Sequence, residues 1–197
     1  MQRLKRAIIW LSRIRHCRGF GIQSPTDYRF VRYVINEHYP YYRYASLAQQ
    51  VGGISTTQRR LCELYFRLAN YCQADWFVDI WPPTDAYATY VTAGCKKTEV
   101  CRVSQEGASL QLADPKKPSL VRASYHDGVE PMLRGLLHGC AAGTVVVVEG
   151  IKKGRAERRL WKALKQLPEV GASYDLYYCG IIIADNRRYK TNYIINF

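Results

Sequence analysis

Residues Thr144 to Glu149 read Thr-Val-Val-Val-Val-Glu, and this run narrows the possible architecture more than any other part of the 197-residue chain. Consecutive β-branched side chains are stiff at Cβ and favour an extended backbone. A strand turns alternate residues to opposite faces, so an unbroken valine run is apolar on both. Such a strand belongs in a sheet covered on both sides, as in α/β proteins, rather than in a half-solvated sheet.

The surroundings supply the rest of that architecture. Trp76-Phe-Val-Asp-Ile-Trp81 is a short apolar run stopped by Pro82-Pro83, with a helix start at Thr84/Asp85. Glu99 to Val103 and Leu120 to Tyr125 read as further strands, and Glu130 to His138 as a helix. Gly154 to Leu167 is a helix with Leu160, Ala163, Leu164 and Leu167 inward, while Ser173 to Tyr178, Ile181 to Asp185 and Tyr193 to Phe197 close the chain as strands. Strand–helix alternation ending in hairpins predicts an α/β open sheet with antiparallel C-terminal strands.

Residues 1–72 contain no strand candidate and read as an N-terminal helical cap on an α/β core of residues 73–197, the two forming one compact unit. Leu4, Ala7, Ile8, Leu11 and Ile14 recur at helical spacing among arginines and lysines. The simple expectation is a helix packed on its own domain with a solvated basic face; the alternative is an arm for membrane or nucleic acid. Ser24-Pro25 reads as an N-cap and first helical residue, opening a helix to about Glu37 that ends in Tyr39-Pro-Tyr-Tyr-Arg-Tyr44. These tyrosines are expected to pack the cap onto the sheet. Thr56 to Tyr71 forms a further helix.

Charge and cysteines bound the partners. Twenty-nine basic against 16 acidic residues give +13, which suits an anionic partner such as nucleic acid or an acidic surface. Residues 1–75 hold +8 of it, and the densest later run is Lys152 to Lys165, read as the solvated face of its helix. No apolar run approaches the ~18 residues of a membrane span. The seven cysteines form no Cys-x-x-Cys pair or zinc-ligand spacing, so no metal site is expected, and with no export signal the chain reads as cytoplasmic.

Gly19-Phe-Gly-Ile-Gln-Ser-Pro25, followed by a helix ending in tyrosines, resembles the N-terminal signature of a class I S-adenosylmethionine-dependent methyltransferase-like family of Bacteroidetes, whose members usually read His-Gly-Val-His-Ser-Pro-Phe. Val145 to Glu149, Trp161, Pro168-Glu-Val170, Tyr174-Asp-Leu-Tyr-Tyr178 and Gly180-Ile-Ile-Ile183 continue the resemblance. It implies a Rossmann-like open sheet of the class I methyltransferase type. Here the sheet would be shortened, because only 16 residues separate Val103 from Leu120 where the family has a strand and two helices.

The resemblance also places the cofactor residues. Asp79 stands where the family has the acid ending its first strand, Glu106 is nearest to the ribose-binding acid, and Asp127 loosely matches an acid after a later strand. Trp81 and Asp85 occupy the positions of the glycines that admit the cofactor, and Pro82 and Pro83 offer no backbone donor. The motif is therefore degenerate and the three acids read as vestigial. Asp79 itself is expected to cap the turn and the helix near Thr84. His126, beside Asp127, is the one candidate general base. Three functions follow: a binding or structural protein without a cofactor, an active methyltransferase with an atypical S-adenosylmethionine pocket, or a basic module for nucleic acid or a membrane surface. A shortened sheet would also leave an edge open to homodimerisation.

Overall fold

The computed structural model describes residues 2–16, 19–104 and 116–197. The N-terminal part is helical: α1 (Gln2–Ser12), α2 (Pro25–Phe30, prolonged by a π-type turn to Ile35), α3 (Tyr44–Val51) and α4 (Thr56–Cys72). Ser24 accepts from the Asp27 amide with Pro25 at the first helical position, as expected. Ser55 and Gln58 close a capping box at the start of α4. Helix α3 was not expected from the sequence. Tyr41 and Tyr44, which border it, pack on Phe66 at ring distances of 5.0 and 5.3 Å, whereas Tyr39 and Tyr42 are exposed rather than packed on the sheet.

The core alternates β1 (Trp76–Ile80), α5 (Ala86–Gly94), β2 (Glu99–Val103), β3 (Leu120–Ser124), α6 (Val129–Gly139), β4 (Val145–Glu149), α7 (Arg155–Gln166), β5 (Val170–Asp175), β6 (Cys179–Ala184) and β7 (Thr191–Ile194). The strands form one seven-stranded sheet in the order β2-β1-β3-β4-β6-β5-β7. The first four are parallel, and β6 is antiparallel to both β4 and β5. This is the α/β open sheet expected, with one correction. Strand β7 runs parallel to β5, not antiparallel to its neighbour. Both sides of β6 are already paired, so the returning chain adds at the free edge of β5, where reversal after β6 makes it run the same way.

The valine run of β4 is covered on both faces. Val145 and Val147 join Phe77 and Leu120 under α4 and α5; Val146 and Val148 join Val121, Ala123 and Ile182 against Leu133 of α6 and Leu160, Trp161 and Leu164 of α7. The chain runs from β1 through α5 to β2 on one side, then returns to β3 on the other. A crevice at such a reversal, outside the carboxyl ends of the strands, is where open α/β sheets place ligands.

Helix α1 contradicts the simplest reading of its pattern. It packs on its own domain, but its apolar face does not point inward: Leu4, Ile8 and Leu11 are 68%, 58% and 59% exposed. Arg13 faces the core instead.

Candidate functional site

At the strand reversal lies a buried charged cluster. Alternation along β1 and β3 turns Asp79 and Arg122 to the α4/α5 face of the sheet, and parallel register sets them side by side. Glu149 ends β4 next door. Arg122 is only 1% exposed and is the largest fully buried side chain among the described residues. Its Nη1 donates to Asp79 Oδ1 at 3.2 Å and to the carbonyls of Ile80 and Trp81 at 3.1 and 2.7 Å. Nε and Nη2 donate to the two Glu149 oxygens at 3.3 and 3.2 Å. The Tyr65 and Tyr87 hydroxyls also donate to Glu149, and the guanidinium carbon lies 5.3 Å from the centre of the Tyr87 ring.

Two carboxylates and one guanidinium cannot all be charged in this place without leaving a net buried charge. Burial pushes the Asp79 carboxyl up to about 6, although Arg122 pulls the other way, and Asp79 Oδ2 has no hydrogen-bond partner. Burial works against the guanidinium too, but Glu149, Tyr65 and Asp79 together outweigh it and hold Arg122 protonated more firmly than usual. Burial thus favours the protonated form at Asp79, and its carboxyl turns to Arg122 rather than capping α5. Thr84 Oγ1 accepts from the Ala86 amide there, and Asp85 instead pairs with Arg102 at 3.0 Å.

The turn after β1 keeps the backbone shape of a glycine turn without the glycine. Trp81 has φ 53°, a left-handed conformation that costs a non-glycine residue roughly 1–2 kcal/mol. Its indole lies on the His126 ring with centroids 3.8 Å apart. His126 Nδ1 faces the Asp127 carbonyl at 2.7 Å, not the carboxylate, so the two do not form an acid–base pair. Asp127 is exposed. Glu106 lies outside the described residues. Of the described sequence candidates, only Asp79 belongs to the cluster. The residues missed were Arg122, Glu149, Tyr65 and Tyr87, and the available signal was a lone arginine inside the apolar strand Leu120-Val-Arg-Ala-Ser124.

Beside the cluster, past the end of β4, opens a cleft of about 420 Å³ lined by Arg6, Lys152, Lys153, Tyr177 and Tyr178 and by Ser55 at the start of α4. The N-terminal basic segment and the start of the Lys152–Lys165 run thus meet in one place. Lys152 and Arg13 both hold Asp175, at 2.7 Å each. In the adjoining groove, burial and the charge of Arg6 depress the Arg60 guanidinium, the mark of cations crowded together.

No protein-family model matches this chain, and no curated protein does. Similar solved structures include an assigned O-methyltransferase from Klebsiella pneumoniae, 9% identical over 77% of this chain and 94% of that one, with a TM-score of 0.45. Another is an O-methyltransferase from Bacillus cereus in complex with SAH, 14% identical over 78% and 94%, with a TM-score of 0.43. The likeness is one of fold. With identities and TM-scores this low, the architecture rests on the strand order described above, and nothing about cofactor or substrate passes from those proteins to this chain.

Proposed function

We propose that this chain keeps the class I methyltransferase architecture, has given up S-adenosylmethionine as a ligand, and works as a binding protein through its basic cleft. One observation carries the reading: the Arg122 guanidinium occupies the acid and the backbone carbonyls at the end of β1. The cofactor brings an ammonium group and a sulfonium. Asp79 and the Ile80 and Trp81 carbonyls already accept from a cation that the protein itself supplies. Opening a buried pair costs about 3–5 kcal/mol. A ligand otherwise bound at micromolar strength, about 8 kcal/mol, would be left near millimolar. The indole at position 81 adds bulk where the family has none. The residues present do not fit the cofactor.

The cleft has the size of a small-molecule site, and its cations and tyrosines suit a small anionic ligand. Thermal unfolding with added ligands tests both halves of the proposal. Inorganic pyrophosphate is expected to raise the midpoint of the wild type and not of the Arg6→Glu/Lys153→Glu variant. S-adenosylmethionine and its demethylated product are expected to leave both unchanged. A rise of several degrees with either cofactor species would overturn the first half; no response to pyrophosphate would overturn the second.

A further inference from the structure

Helix α1 sits on the protein with its amphipathic pattern reversed. At 100° per residue, Arg6 and Ile9 fall on one side of the helix and Leu4, Ala7, Ile8 and Leu11 on the other, and Arg13, in the turn that follows, reaches to the same side as Arg6. The first side faces the protein. Arg13 donates to Asp175 Oδ1 and to the carbonyls of Asp175 and Ile195 at 2.7, 2.9 and 3.1 Å, and Asn196 Nδ2 donates to the Trp10 carbonyl at 3.1 Å. Arg6 and Ile9 line the basic cleft. The helix is therefore fastened by polar contacts, and its leucine and isoleucine face stands in solvent, with Trp10 and Ile14 also exposed at 47% and 51%.

We propose that this face docks on an anionic membrane surface, the helix lying in the headgroup plane with Leu4, Ile8 and Leu11 immersed. The charge around it selects that occupant. Residues 1–26 contain six Lys or Arg and no acid; Arg6 and Arg13 turn to the protein, so Arg3, Lys5, Arg15 and Arg18 are the cations the sequence supplies beside the stripe. A contiguous apolar stripe set among cations is the pattern of an interfacial helix, in which acyl chains take the stripe and anionic headgroups take the charge. A second copy would bring two such cationic segments together. Nucleic acid would meet the cations but leave the leucines wet. The helix is 11 residues long, about 16 Å at 1.5 Å per residue, so it lies on a bilayer and does not cross it; no described helix is long and apolar enough to do so. This docking is independent of the Arg122 cluster.

The test is co-flotation of the full chain with vesicles of phosphatidylcholine alone or with about 30% phosphatidylserine. Wild type is expected to float with the anionic vesicles, to float much less with the neutral ones, and to be released by high salt. The Ile8→Ser/Leu11→Ser variant removes only exposed side chains; its unfolding midpoint is expected to match the wild type, while its membrane partitioning falls roughly tenfold or more. Failure to float with anionic vesicles overturns the proposal. So does flotation that the variant retains, which would assign the binding to charge alone. A wild-type dimer in solution that the variant dissolves would assign the face to a second copy.

Discussion

At the scale of single residues, the central feature is a buried guanidinium that occupies the acid and the carbonyls at the end of β1. Asp79 could be flagged from sequence, since an acid inside Trp76 to Trp81 needs a reason to be there. Its partner could not: pairing Asp79 with Arg122 requires the parallel register of β1 and β3, which residues 43 apart do not reveal. The raised Asp79 carboxyl sets a pH dependence. Below about pH 3 it is protonated both folded and unfolded. As pH rises toward about 6 the unfolded chain ionises first, so the stability conferred by burying the neutral form drains away over that window. Compared with Asp79→Asn, the wild type is expected to be relatively more stable at pH 4 than at pH 7.5, by on the order of 2 kcal/mol. Urea midpoints of both proteins at the two pH values check this. A difference that stays constant, or grows with pH, would mean that Asp79 is an ordinary ionised partner of Arg122.

At the scale of elements, most of the architecture was legible because the unbroken β-branched run of β4 and the 3.6-residue periods of α4 and α7 stand out. Besides helix α3, two features were not. The direction of β7 depends on which strand edge remains free after β6 inserts between β4 and β5, a tertiary fact. The orientation of α1 was missed because periodicity tells which residues share a face, not which face turns inward. Packing between elements makes its own prediction at Gly180 on β6. A Cβ there would lie 2.5 Å from the Trp161 ring carbons of α7. Trp161 is buried, so the ring has little room to yield. Gly180→Ala is expected to cost about 1–3 kcal/mol, read as a lower urea midpoint with an unchanged slope. A neutral result would show that α7 can slide off the sheet freely.

At the scale of the whole molecule, the helical cap and the sheet are joined by buried charge rather than by apolar contact alone. Asp27 on α2 is 1% exposed and accepts from Tyr174 of β5, Tyr193 of β7 and Arg188 between β6 and β7, at 2.7, 3.0 and 2.6 Å. Burial opposes the carboxylate, but these three donors hold its pKa below the usual range. We propose that residues 1–72 and 73–197 unfold as one unit, this cluster being the tie. Asp27→Ala strands the Arg188 charge and is expected to cost about 3 kcal/mol, or roughly 6–12 °C in a chain of this size, with far- and near-ultraviolet dichroism still moving together. Separation of the two signals in the wild type would instead mark two units. The claim on which the functional reading stands is that the protein's own guanidinium has replaced the cofactor. Calorimetric titration of the purified chain with S-adenosylmethionine and with its demethylated product tests that claim most directly. The account predicts no binding heat at millimolar ligand. A dissociation constant below about 100 µM, some 5.5 kcal/mol of binding free energy, would contradict it and return Asp79 to the role of a cofactor ligand.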